Sequence, residues 1–135
     1  MIGLVYKEIP VEDITHLTRA EFINGQEQKF NETLKESLSK HGMRDPVFIK
    51  QMEDDTLKVT VGNNRMVIAK ELGIENIPCI IKLHHPLYNN IKGRPLQTEE
   101  EIKDLFHTKE GLEIKKQNGI IYEVMPKNHQ KGGKI

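Results

Sequence analysis

Four consecutive residues, Gly62-Asn63-Asn64-Arg65, bring the most donor chemistry to one point of this chain. They stand between an alternating run, Leu57, Val59 and Val61 against Lys58 and Thr60, and a short apolar stripe of Met66, Ala69 and Leu72 with Ile68 beside it. The alternation predicts a strand with one face on a core, and the stripe predicts a helix. A helix start gathers backbone N–H groups that have no intrahelical partner, together with the positive end of the peptide dipoles, so a phosphate or carboxylate is favoured there. Asn63 or Asn64 is expected to cap the helix, and Arg65 in its first turn adds a planar fork of donors. The plainer reading is that Asn63 only caps, Asn64 only turns and Arg65 is a solvated surface residue.

Around this junction the chain must supply a scaffold. Gly73 is placed to close the helix in a left-handed conformation, and Ile77 to Ile81 reads as the returning strand. Upstream, Val5 to Ile9 reads as the first strand, ended by Pro10, which has no N–H to donate. Asn31 is expected to cap a helix to His41, with Phe30, Leu34 and Leu38 on one stripe and Gly42 as its stop. Pro46 and Val47-Phe48-Ile49 begin another strand, paired through the polar turn Glu53-Asp54-Asp55 with Leu57 to Val61. The four strands and two helices up to Lys82 suggest one unit, residues 1–82.

Residues 83–125 read as an accessory loop, helix and hairpin, and residues 126–135 as a flexible, mildly basic tail. Residues 83–95 form the loop by their Pro, Gly and Asn content. Its adjacent His84 and His85 have no Cys or spaced carboxylate to join them, so no metal site is expected. Thr98-Glu99-Glu100-Glu101 before Ile102, Leu105 and Phe106 is a capping-box start to a helix ending near Thr108. Leu112 to Lys116 and Ile120 to Val124 flank Asn118-Gly119, a strong hairpin signal.

Bulk properties narrow the function. Lys plus Arg and Asp plus Glu stand at 20 each, so the summed field offers no long-range pull on nucleic acid or anionic membrane, and any such binding must be local. One Cys among 135 residues makes no internal disulfide. No apolar run approaches the roughly 20 residues of a membrane helix, and no secretory h-region follows Met1, so a soluble, cytoplasmic protein without a membrane partner is expected. Aromatics are 5% with no Trp, which leaves few stacking platforms for single-stranded bases.

Several segments in order resemble the ParB/sulfiredoxin-like domain. They are Glu8-Ile9-Pro10-Val11-Glu12-Asp13-Ile14, His41-Gly42-Met43-Arg44-Asp45-Pro46-Val47-Phe48-Ile49, the Gly-x-x-Arg box Gly62 to Arg65, then Ala69-Lys70-Glu71-Leu72-Gly73-Ile74 and Ile77-Pro78. The resemblance implies an α+β fold, a small mixed sheet with packed helices, and a nucleotide or nucleic-acid phosphate held at Gly62, Asn63, Asn64 and Arg65. It further implies that the backbone at Gly42 and Pro46 lies by the pocket, and it nominates Arg19 in a phosphate- or base-contacting loop. A nucleotide such as CTP or ATP with Mg2+ is the implied cofactor. Stand-alone versions of the domain are frequent in phages, which makes a phage protein in a host cytoplasm one reading of this chain.

The family also sets exclusions. Sulfiredoxin chemistry needs a cysteine in the Gly-x-x-Arg box, where this chain has Asn63, and Cys79 sits in an apolar strand as a small hydrophobe. Too few residues follow Lys82 for a helix-turn-helix and dimerisation region of a full partition protein. Asn89-Asn90-Ile91-Lys92 resembles the Glu-Asn-x-Gln-Arg box of nucleotide-hydrolysing members only faintly, lacking its Glu and Gln. Three readings remain: a phosphate-binding module, a ParB-like nuclease or nucleotide-using kinase or hydrolase, and an interaction module, with a protein partner or a homodimer, that has lost the ligand. The enzyme needs a base or metal carboxylate near Arg65, for which Glu12, Asp13 and Glu21 are candidates.

Overall fold

Val47-Phe48-Ile49 and Cys79-Ile80-Ile81 are unbroken apolar runs because they lie inside a sheet covered on both faces, where neither side of the strand meets water. The computed structural model describes residues 3–15, 25–42, 45–85, 90–106 and 112–126. Its strands are β1 (Leu4–Pro10), β2 (Ile14–Thr15), β3 (Val47–Gln51), β4 (Leu57–Val61), β5 (Asn76–Lys82), β6 (Arg94–Pro95), β7 (Leu112–Gln117) and β8 (Ile120–Pro126). Its α-helices are α1 (Gly25–His41), α2 (Asn63–Glu71) and α3 (Glu99–Lys103). The sheet runs β2-β4-β3-β5-β1-β6; β3 and β5 are parallel, as are β2 and β4, and the other pairs are antiparallel. This is the small mixed α+β sheet that the sequence predicts, with β4 and β5 in one sheet as expected.

One face of the sheet packs Val5, Val47, Ile49, Val59, Cys79 and Ile81 against Met66 and Ala69 of α2. The second face packs Leu4, Phe48 and Ile80 against Leu96, Ile102, Phe106, Ile121 and Val124 from the C-terminal part. Helix, hairpin and sheet therefore share an apolar core, and Gly3 approaches the Ile121 carbonyl so closely that a Cβ has no room. The C-terminal loop also contributes β6, which pairs Arg94 with Tyr6 at the sheet edge, where the sequence reads as loop throughout.

Three local expectations are corrected. Period-two alternation puts Leu57, Val59 and Val61 on one face, but the pairing shifts between Phe48 and Ile49, so that Val59 faces Ile49 while Val61 faces Phe48. The bulge turns Val61 to the second core, and the Thr60 hydroxyl donates to the Phe48 carbonyl at 3.1 Å. α1 starts at Gly25 rather than at Asn31, because Gln26, Glu27, Gln28 and Lys29 are good helix formers and extend it by almost two turns. α3 has the capping box, with Glu101 N–H donating to the Thr98 hydroxyl at 3.1 Å and Thr98 N–H to the Glu101 carboxylate at 3.0 Å. It ends at Lys103, short of the expected Thr108, where the chain tightens into i→i+3 bonds from Leu105 and Phe106 that bring Phe106 onto Phe48. Thr108 and the tail beyond 126 lie outside the described residues.

Other signals hold. α1 stops at Gly42 (φ 71°), and α2 closes through Gly73 (φ 75°) with Ile74 N–H on the Ala69 carbonyl and Gly73 N–H on that of Lys70. Asn118 (φ 53°) and Gly119 (φ 78°) turn the hairpin. Cys79 is fully buried, and burial pushes its thiol up to about 12. A raised thiol pKa contributes stability that is complete below the unfolded value near 9 and is lost as pH rises from there through about 12. Native protein at pH 8 is therefore expected to resist thiol labelling until it unfolds; prompt labelling without denaturant would refute a buried, protonated Cys79.

Candidate functional site

β4 ends at Gly62, and α2 begins on the next residue. Gly62 itself is the N-cap, at φ 112° and ψ 20°, and the helix has no side-chain cap bond. This corrects the assignment of the cap to Asn63 or Asn64, which occupy the first two helical positions. The reason is steric: the chain must turn within one residue beside Val47, whose Cγ1 would be 2.8 Å from a Cβ at position 62. Met66 N–H takes the Gly62 carbonyl at 3.0 Å. The N–H groups of residues 63–65 precede the first intrahelical bond, and Gly62 has no side chain to satisfy them.

Arg65 is not the solvated residue that its first-turn position suggests. Its Nη1 donates to the Asp45 carbonyl at 2.8 Å and its Nη2 to the Pro46 carbonyl at 3.2 Å. The guanidinium is thus clamped to the chain entering β3, with Nη2 lying 3.2 Å from where a Cβ of residue 62 would be. Burial lowers its pKa, and the Asp45 charge partly offsets that. Its two hydrogen-bonded partners among the described residues are neutral carbonyls, and among those residues three of its five N–H donors meet no acceptor.

Pro46 and Gly42, implied by the family resemblance, line one open cavity of about 290 Å³ with Tyr6, Glu8, Asn76 and Pro78. It exists because pairing of β3 with β5 begins only at Val47 opposite Cys79, which leaves Asn76 to Pro78 without a β3 neighbour. Through Pro46, whose carbonyl takes Arg65, the cavity adjoins the Gly62–Arg65 turn at the same end of the sheet. Arg94 lies 5.3 Å above the Tyr6 ring, and burial followed by Glu8 raises the Tyr6 phenol pKa. Sequence reading misses Tyr6, Asn76 and Arg94. Pro78 was the available signal, since a proline inside an apolar strand cannot donate to a neighbour and marks where pairing is incomplete.

Other candidates do not converge here. Arg19 and Glu21 lie outside the described residues. Glu12 and Asp13 are exposed on the single 3-10 turn Val11–Asp13. Asn90 accepts from Gln51 Nε2 at 2.8 Å, while Gln51 Oε1 accepts from His84 N–H at 3.0 Å. This ties the box-like segment to the end of β3 opposite Pro46, roughly 17 Å away at about 3.3 Å per residue. Among the described residues there is no group of three or more His, Cys, Asp or Glu placed to hold a metal ion, and no helix long and apolar enough to cross a membrane.

The nucleoid occlusion protein of Bacillus thuringiensis (strain Al Hakam) is 32% identical over 79 residues, covering 56% of this chain and 26% of that protein. That of Bacillus anthracis gives the same figures, so the chain spans about a quarter of the length of these curated relatives. Among solved structures, sulfiredoxin from Arabidopsis thaliana is 23% identical with a TM-score of 0.49, covering 58% of this chain and 84% of that one. C-terminally truncated ParB from Caulobacter crescentus, complexed with CTP-gamma-S, is 19% identical with a TM-score of 0.47, covering 71% and 58%. The profile of the ParB N-terminal domain matches residues 3–92, two thirds of the sequence and all of the Gly62–Arg65 site, and the chain belongs to that family.

Proposed function

We propose that this chain is a ParB-like binding module that holds a phosphate of a nucleotide or nucleic acid at Gly62, Asn63, Asn64 and Arg65, with Gly42 and Pro46 in the wall of the adjoining cavity. The observation that carries this is Arg65: a desolvated guanidinium oriented by two carbonyls, with donors to spare, in the first turn of a helix whose N-cap has no side chain. An anion there would take up donors from the backbone and the fork together and supply the charge that the carbonyls lack. Membership of the ParB N-terminal domain family supports the same ligand class. The protein would act in the cytoplasm.

The test is a thermal-shift and titration series with inorganic pyrophosphate, CTP, ATP and short DNA, with and without Mg2+. A ligand at a hundred times its Kd stabilises by about 2.7 kcal/mol, a rise in Tm on the order of 10 °C for a chain of this size. No shift with any of them would sink the phosphate reading and favour a protein-interaction module, tested by its oligomeric state and by partner capture. Turnover of the triphosphates is expected to be slow or undetectable, since Asn90 is held at the far end of β3. Rapid turnover dependent on Arg65 would replace this reading with an enzyme.

A further inference from the structure

We propose that β7, the outer strand of the C-terminal hairpin, is a self-association edge that pairs antiparallel with β7 of a second copy of this chain, about a two-fold axis at Ile114. β8 is the inner strand of that hairpin. Gly3 stands against the Ile121 carbonyl, and Lys82 reaches Glu123 at 3.7 Å, so β8 is the strand that lies on the sheet. β7 pairs with β8 on one side and, among the described residues, with no strand on the other. The six-stranded sheet ends on strands of two residues, Ile14–Thr15 and Arg94–Pro95, whereas β7 presents six. A long strand with unpaired N–H and C=O groups is a template for another strand, and short edges are one way a fold avoids this.

The backbone pattern of β7 follows from its turn. Asn118 and Gly119, both at positive φ, form a two-residue loop, so Gln117 and Ile120 make the closing hydrogen-bonded pair. The extra residue of the bulge, Tyr122, is on β8, and β7 alternates without a break. Glu113 and Lys115 therefore turn their backbone groups to β8, while Leu112, Ile114 and Lys116 turn theirs outward. A two-fold axis at Ile114 sets outward groups against outward groups: Ile114 on Ile114, and Leu112 on Lys116. Between them Glu113 lies opposite Lys115 of the second copy, and Lys115 opposite its Glu113, at positions where Cα atoms are about 4.5 Å apart. Centring the pair on Glu113 or on Lys115 instead sets like charges opposite one another, which destabilises a sheet. Of these three registers, the one on Ile114 alone is complementary in charge.

Lysines on an edge often block pairing, but these two are placed otherwise. Within one copy Lys115 lies 3.3 Å from Glu123 and 3.7 Å from Glu113, so in the pair it bridges Glu123 of its own hairpin and Glu113 of the other. Lys116 is drawn to Glu99 at 3.5 Å. Joining two hairpins makes a four-stranded sheet from units that are marginal alone. β7 lies beyond residues 3–92, the part matched by the family profile, so this edge belongs to the C-terminal extension and is independent of the Gly62–Arg65 site.

Five residues a side, about 17 Å of strand, make a small interface and a weak dimer, with a Kd on the order of 0.1 mM. Sedimentation equilibrium of the full chain without ligand, at low salt and up to about 1 mM, should show wild type passing from monomer to dimer. Glu113→Lys and Lys115→Glu should each weaken self-association by at least about tenfold, since each sets like charges across the seam. Mixed in equal amounts, the two variants should form a heterodimer about as tight as the wild-type dimer, because each supplies the charge that the other lacks. Glu113→Lys loses only a 3.7 Å contact and should melt with wild type; it carries the test alone if Lys115→Glu, deprived of Glu123, does not fold. In wild type the Ile114 amide should exchange more slowly as dimer forms. Wild type that stays monomeric overturns the proposal, as do self-association of Glu113→Lys equal to wild type, a mixture of folded variants that stays monomeric, Ile114 exchange that does not change, and growth beyond the dimer.

Discussion

Arg65→Ala is expected to weaken binding of phosphate ligands by roughly tenfold to a hundredfold, since a charge-assisted hydrogen bond contributes on the order of 1.5 to 3 kcal/mol. The same substitution is expected to destabilise the fold. It removes the two hydrogen bonds that Arg65 donates to the Asp45 and Pro46 carbonyls, beside a buried Pro46. A loss of about 2 to 4 kcal/mol follows, and Tm should fall on the order of 10 °C. A surface arginine would lose affinity without losing stability, so the two readouts together separate a clamped from a solvated side chain. Arg65→Lys keeps the charge but not the fork, and should recover part of the stability and little of the affinity. Denaturant unfolding and calorimetric titration, both well below Tm, provide the measurements. If Arg65→Ala unfolds at the wild-type midpoint, the carbonyl clamp contributes nothing; if it binds pyrophosphate like wild type, the anion is held elsewhere.

Phe48→Ala should be more damaging still. Phe48 is 5% exposed and stacks on Phe106 with ring centroids 5.8 Å apart, joining β3 to the segment after α3. Truncating a buried Phe costs about 3 to 5 kcal/mol, through lost burial and the cavity left behind. Because Leu4, Ile80, Ile102, Phe106, Ile121 and Val124 line the same core, the loss should be felt by sheet and hairpin together. Urea unfolding followed by far-UV circular dichroism and by tyrosine fluorescence should show one coincident transition, moved to lower denaturant with little change in slope. Hairpin unfolding that separates from the sheet transition, or a loss under about 1 kcal/mol, would show that the C-terminal part does not share the sheet's core.

Local chemistry alone determined much of this protein. Gly42 and Gly73 as helix stops, the Thr98 capping box and the Asn118-Gly119 turn are each dictated by backbone conformation within a few residues, so sequence is sufficient to read them. Cys79 as an inert core thiol follows likewise from the apolar run around it. The turn from β4 to α2 was legible too, and with it the position of Arg65. What Arg65 touches was not, because Asp45 and Pro46 lie 20 and 19 residues away and reach it only once β3 is paired with β4. The same pairing introduces the bulge at Thr60 that sends Val61 to the opposite face, and the late start of β3 beside β5 opens the cavity at Pro46 and Pro78. β7 and β8 are equal partners of a hairpin in sequence. Tertiary structure alone leaves β7 outermost, since the packing of β8 on the sheet at Gly3 and Lys82 is long-range contact that no local pattern encodes.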